Sequence, residues 1–360
     1  MLEAVETEEF TLEACLAGLP VSMDDVLAAR EVIAQHLAPT PLVSNPVLSE
    51  LLGCQAHVKL ENSQAIGSFK IRGGLALMAK MSERDRKAGL VTATRGNHGQ
   101  SLAQAARLHG VPCTIFVPEG NNPDKNAAMQ ALGAHLVVSG HDFDAAWDAA
   151  ERFASETGAT CVHPAREPAL IAGVATAAME MLEQAATPLD AIFVPVGGGS
   201  IAAGTALVVK ALSPNTQVIG VQAENAPAFH HAWHTGEDRP FVTTESLADG
   251  LAVRVPVDFT LSIMRPLVDD MLLVSEDEIC TAIRTYASTI HQMAEGAGAA
   301  PLAGAMQIRN RFAGKQVGLM LTGGNISPET LARVIAGEAP AFAPQAMPMY
   351  PIDTLEYGYR

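Results

Sequence analysis

The chain has 360 residues, 48% of them hydrophobic and 17% charged, with a formal net charge of −16; that supplies enough apolar material for a large buried core in one or two domains. The acidic balance excludes a phosphate-tracking nucleic-acid surface and docking on anionic lipid, both of which need clustered Lys and Arg. No apolar run reaches the roughly 18 residues of a bilayer span, the start MLEAVETEEF lacks the regions of a secretory signal, and five scattered cysteines without a CxxC pair fit reduced thiols, so a soluble, cytoplasmic protein is expected.

In chain order, short β-rich runs alternate with Ala- and Leu-rich stretches of helical period, the pattern of an α/β protein with parallel sheets. A strand is predicted over Ala56–Leu60, followed by a Gly67-Ser68 turn in which Ser68 caps a helix opening at Phe69-Lys70-Ile71. Strand–helix pairs then follow: Leu90–Thr94 with Asn97–His109, Cys113–Val117 with Asp124–Leu132, and His135–Val138 with Phe143–Thr157. Gly110, Gly133 and Gly158 stand where a left-handed residue closes a helix. A helix over Pro168–Gln184 leads to the strand Ala191–Val196, the helix Ile201–Ala211 and the strand Val218–Val221. His230, His231 and His234 read as a polar loop, without the HExxH of a metal site. The strand Met271–Val274, helices Glu276–Met293 and Ala299–Phe312, and the strand Val317–Leu321 complete the pattern; Ala339 to Pro351 reads as an extended tail, and the residues after the last strand and its turn, about 35, are expected to be too few for an appended regulatory domain.

Several strand ends and helix starts carry chemistry. The run AIFVPVGGGSIAAG places Gly197, Gly198, Gly199, Ser200 and Ile201 between a strand and a helix, where backbone N–H groups converge on an anion and a Cβ would block its approach. Taken alone this is compatible with phosphate binding, with a loose dinucleotide fingerprint through Gly197, Gly199 and Ala202 with Glu224 on the ribose, or with a structural turn. In SQAIGSFKIRGG, Lys70 lies between Phe69 and Ile71; a lone lysine is ordinarily solvated, but an apolar setting lowers its pKa toward the neutral, nucleophilic amine. In VTATRGNHGQ, Thr94, Arg95, Gly96, Asn97, His98 and Gly99 form a second anion-receptive nest at a strand end, and Thr322 precedes two glycines and Asn325 at another.

Read together, the SFKIRG, GNHGQ, VPVGGG and TGGN runs, in this order between Pro39 and Asn325, resemble the threonine and serine dehydratases of the tryptophan-synthase-β-like, fold type II group of pyridoxal 5′-phosphate enzymes, and serine racemase of the same family. The resemblance implies two open parallel-sheet α/β domains with the cofactor in the cleft between them: residues 1–63 and 164–338 as the large domain, 64–163 as a small inserted domain, and 339–360 as a tail. It implies that Lys70 carries the cofactor and removes the substrate α-proton, that Phe69 lies beside the ring and Asn97 on its phenolic oxygen, and that Gly197 to Ile201 hold the phosphate. Thr322 then faces the pyridine nitrogen, and Thr94 to Gly99 seat the substrate carboxylate. Glu295 in AEGAGAAPLAG and Asp249 with Gly250 in SLADGLAV also look like dehydratase segments, with a structural role equally open. A homodimer is implied as well.

Two departures sharpen the expectation. Arg95 stands where serine racemase has the serine that serves as its second base, and an arginine stays charged at any working pH, so elimination is expected rather than racemisation. Arg95 and Arg166 are instead candidates to bind a second carboxylate, which makes 3-hydroxyaspartate the alternative substrate to L-threonine or L-serine. The acidic residues of the family's divalent-cation site are replaced by Gln222 and Ala228, so no metal is expected.

Overall fold

The computed structural model describes residues 11–241 and 244–338, so the stretch expected as a tail lies outside the described residues. Ten strands are formed among them: β1 (Leu42–Ser44), β2 (Gln55–Leu60), β3 (Leu90–Ala93), β4 (Cys113–Val117), β5 (His135–Val138), β6 (Thr160–Cys161), β7 (Ala191–Pro195), β8 (Gln217–Ala223), β9 (Asp270–Val274) and β10 (Gln316–Leu321). They make two sheets, a six-stranded one in the order β1-β2-β10-β7-β8-β9 and a four-stranded one in the order β5-β4-β3-β6. Only β1 with β2 is antiparallel; the other pairings are parallel. Parallel strands need helical crossovers, and those crossovers bury the sheet faces, which is why β3 and β7 are buried along their whole length. The four-stranded sheet is built from chain lying between β2 and β7.

The eight strands expected from sequence are present, and the helices Asn97–His109, Phe143–Thr157 and Pro168–Gln184 have the predicted bounds. The differences have physical causes. Histidines 230, 231 and 234 belong to a helix, Ala228–Thr235, and not to a loop, because Phe229 and Ala232 give it a buried face and Gly236 closes it in the left-handed region. The helix expected from Ala299 begins at Gly296, where the chain packs so tightly on Ala248 and Gly323 that side chains at 296 and 298 would collide with backbone. Ser68 does not cap the Lys70–Lys80 helix: the backbone of Ser68 bridges to Gly323, Phe69 N–H donates to the Thr322 carbonyl at 3.0 Å, and the Ser68 hydroxyl is buried with no partner among the described residues.

Behind the start of that helix lies a buried ionic cluster. Arg72, fully buried, donates to Glu61 at 2.8 Å through Nε and again through Nη2, and to Glu180 at 2.6 Å through Nη1 and 2.7 Å through Nη2. Lys59, also fully buried, donates to Glu180 at 2.7 Å, to the Thr40 carbonyl at 2.7 Å and to Gln184 at 2.8 Å. Desolvating such charges is costly, and pairing each donor with an acceptor offsets it. The cluster ties β2, the Lys70 helix and the Pro168–Gln184 helix together, and so fixes where Lys70 stands.

Candidate active site

The site forms where three parallel strands end. β7 runs into Gly197, Gly198 and Gly199, β10 into Thr322, and β3 into Thr94 to Asn97, so loops from both sheets meet at one cavity of about 530 Å³. Gly199 takes the left-handed conformation (φ 83°), and a side chain there would run into Thr260. The Ser200–Leu212 helix starts immediately after it with no side-chain cap, and its first returning bond is Ala203 N–H to the Gly199 carbonyl at 2.8 Å. The Asn97–His109 helix also starts without a side-chain cap, its first bond being Gln100 N–H to the Gly96 carbonyl at 3.1 Å. Two helix starts therefore offer unpaired N–H groups and positive dipole ends to the same cavity.

Lys70 lies between them. Its Nζ donates to Ser200 Oγ at 2.9 Å and sits 4.9 Å from the centre of the Phe69 ring. Burial away from water pulls its pKa down to about 8, which leaves a useful fraction of free amine near neutral pH. His98 is buried, and desolvation first, then the nearby Lys70 and His163, hold its pKa well below the usual histidine value; the ring is neutral and its Nε2 has no partner among the described residues.

The amide of Asn97 is fixed at both ends. Its Nδ2 donates to Glu295 Oε1 at 2.7 Å, and its Oδ1 accepts from Asn325 Nδ2 at 2.7 Å, leaving the second Nδ2 hydrogen for the cavity. Glu295 is pushed up to about 7, chiefly by burial and then by Asp249, against the pull of Lys125 and Asn97. Burial works against the charge of Lys125 as well, but Asp249 and Glu295 outweigh it and hold that amine above its ordinary pKa; Lys125 is ion-paired with Asp249.

The structure brings Phe69, Lys70, Thr94, Arg95, Gly96, Asn97, His98, Gly197, Gly198, Gly199, Ser200, Ile201 and Thr322 onto the wall of this one cavity, together with Arg166, Asp249, Gly250 and Glu295. Gly99 is not on the wall; it packs behind it against Met129 and Thr94. Sequence reasoning missed Lys125, His163, Trp147 and Arg254, which line the cavity from segments without a glycine signature. Gln222, which the sequence marks as the replacement of an acidic cation ligand, accepts from His230 N–H at 2.9 Å, and among the described residues no group of three or more His, Cys, Asp or Glu side chains clusters to hold a metal.

A desolvated lysine amine beside an uncapped glycine turn fits a phosphorylated aldehyde: the amine for a covalent link, the turn for the anion. Residues 33–323 match the family model described as pyridoxal-phosphate dependent enzyme. The chain belongs to this family. Among its relatives, an L-threonine ammonia-lyase of Thermotoga maritima is 37% identical over 88% of this chain and 78% of that protein. An L-threo-3-hydroxyaspartate ammonia-lyase of Saccharomyces cerevisiae is 33% identical over 87% of this chain and 96% of its own length. The solved structure of the processed form of threonine deaminase isoform 2 from Solanum lycopersicum superposes with a TM-score of 0.82 at 30% identity, covering 87% of this chain and 91% of that one. The fold is thus that of the pyridoxal-phosphate enzymes expected from the sequence, and pyridoxal 5′-phosphate is the cofactor of the family.

Proposed function

We propose that this pyridoxal-phosphate enzyme is a dehydratase of small β-hydroxy amino acids, the class to which L-threonine and L-serine belong, releasing a 2-oxo acid and ammonia. The observation that carries the reading is the Lys70 amine at 2.9 Å from Ser200, at the head of the glycine turn and facing the cavity that Asn97 also lines. The cofactor, held first by the Lys70 amine and then by the substrate amine that displaces it, would supply an electron-accepting ring that acidifies the substrate Cα–H bond and would leave the Lys70 amine free. Gly197 to Ile201 would hold its phosphate, Asn97 and Thr322 would offer polar contacts to its ring, and Phe69 would give the ring an apolar neighbour.

The substrate carboxylate is assigned to the Thr94 hydroxyl and the N–H groups of Asn97 and His98, at the positive end of the Asn97 helix; the Thr94 and Gly96 N–H groups are already bonded to Phe116 and Thr94, and Gly99 lies behind the wall. Lys70 is assigned the Cα proton, since its amine, with a pKa of about 8, lies within the cavity as a stronger base than the imidazoles of His98 and His163, both lowered by burial, while Arg95 is charged at any working pH. The pair of electrons left on Cα becomes the Cα–Cβ double bond as the Cβ–O bond breaks, and the hydroxyl departs as water with the proton that Lys70 took from Cα. The freed enamine tautomerises and takes up water to give the 2-oxo acid and ammonia, with no oxidant or reductant.

The reading extends to a large domain of residues 1–63 and 164–338 with 64–163 inserted as the small one, to a homodimer, which light scattering would test, and to a cytoplasmic location, which cell fractionation would test. The decisive experiment offers the cofactor-loaded protein L-threonine and L-serine and follows 2-oxo acid and ammonia. Equimolar formation of both is expected. Turnover that requires added sulfide or thiol would identify a β-replacing synthase instead.

A further inference from the structure

The cavity wall carries more positive charge than its own acids neutralise. Lys125 is paired with Asp249, and Arg254 reaches Asp144 at 3.2 Å and Asp142 at 3.4 Å. Asp142 is already committed to capping the Phe143–Thr157 helix through Ala145 N–H at 2.9 Å. Arg95 and Arg166 line the same cavity, and neither makes a hydrogen bond or an ion pair with any described residue. Each is felt only at a distance, Arg95 as the weakest of the influences that lower Asp142 and Arg166 as one that lowers His163 after burial.

We propose that Arg95 and Arg166 together receive a second anionic group of the substrate, so that the preferred substrate is a β-hydroxy amino acid with a carboxylate on Cβ. The inference rests on the dehydratase reading and narrows it. The substrate α-carboxylate is assigned to the backbone of the Asn97 helix start, which leaves both guanidinium groups for a different anion. Both arginines are exposed residues of the cavity wall, and an anion reached by both gains two charge-assisted hydrogen-bonding partners. An uncharged side chain such as that of threonine gives neither guanidinium anything to exchange for its water. A carboxylate on Cβ fits, and elimination then yields a 2-oxo dicarboxylic acid by the balance already described.

The test compares kcat/KM for threo- and erythro-3-hydroxyaspartate with that for L-threonine in the wild type, Arg95→Ser and Arg166→Gln. Charge-assisted bonds of this kind set the expected scale: a wild-type preference for one hydroxyaspartate diastereomer of about 10- to 100-fold, reduced by about 10-fold or more in each variant. A wild-type measurement independent of any variant is calorimetry with succinate against butyrate, in which the dicarboxylate is expected to bind about 10-fold more tightly. Threonine elimination without preference for either hydroxyaspartate, or a preference that neither substitution moves, overturns the distal site and leaves the dehydratase reading standing. Elimination from none of the three amino acids by the cofactor-loaded protein overturns the dehydratase reading and this inference with it.

Discussion

Two residues apart in the same helical turn, Lys70 and Arg72 face opposite surroundings. A step of two residues turns about 200° around a helix, so one side chain enters the cavity while the other enters the core behind it. On the Arg72 side both arginine and lysine are matched by Glu61 and Glu180, and every ion pair is within 2.8 Å. On the Lys70 side two buried polar atoms, His98 Nε2 and Glu295 Oε2, have no partner among the described residues, and the amine meets only a serine hydroxyl. Paired buried charges place the scaffold; unpartnered buried atoms occur elsewhere too, at Ser68, Thr205 and Tyr286, and it is their gathering with Lys70 on one cavity wall that points to a ligand.

The sharpest way to probe that contrast is to remove each side in turn. Lys70→Ala is expected to lower kcat by about 10⁴-fold, some 5.5 kcal/mol in barrier, with the circular dichroism spectrum and melting temperature retained. Arg72→Leu is expected to do the reverse, costing about 3–5 kcal/mol of folding stability in urea titration because Glu61 and Glu180 are left buried and uncompensated. A protein unfolded by the Lys70 change or unaffected by the Arg72 change would break the comparison.

Smaller effects sharpen it. Gly199→Ala, forced into the left-handed region against Thr260, is expected to cost about 1–3 kcal/mol, read as weaker retention of pyridoxal phosphate on dialysis. With Lys70 lowered to about 8, the rate of cofactor uptake by the empty protein is expected to rise about tenfold per pH unit and to level off above about pH 8, where an ordinary lysine would continue to about 10.4. Glu295, raised from 4.5 to about 7, weakens the fold progressively as pH climbs from the lower value through the higher, because the unfolded chain ionises first; Glu295→Gln is therefore expected to gain stability above pH 7 and to lose that advantage as pH falls toward the ordinary carboxylate range.

Much of the active site could be read from the chain because its elements are local: glycines after strands, and a lysine between apolar neighbours, are visible within a dozen residues. The eight longer strands were legible for the same reason, whereas β1 and β6 have three and two residues and leave almost no periodic trace. Lys125 and Arg254 were not legible, since what makes them part of the cavity is a partner more than a hundred residues away, Asp249 for one and Asp142 with Asp144 for the other. The Ser68 cap failed through long-range contacts too: Ser68 bridges to Gly323 and Phe69 N–H donates to the Thr322 carbonyl, so the helix starts only at Lys70, with Phe69 at the position expected for Ser68.

Helix starts also differ in their caps. Helices at Met23, Pro46, Glu83, Pro123, Phe143, Glu276 and Pro328 are each capped by a side chain at the preceding residue, while those at Asn97, Ser200 and Gly296, which open on the cavity, are not, and neither are those at Lys70, Pro168, Ala228 and Asp258. Around Ser275 the cap is reciprocal, with the Ser275 hydroxyl and Glu278 each accepting from the other's backbone N–H. Ser275→Ala is expected to cost about 1 kcal/mol of stability in urea titration and to leave cofactor retention unchanged, since that helix start faces no ligand. A cap can be removed there at small cost because water replaces the hydroxyl; adding one at the Ser200 helix, by contrast, would place a side chain where the cofactor phosphate is assigned. Loss of cofactor from the Ser275 variant at undiminished stability would show that a capped helix start also serves the site.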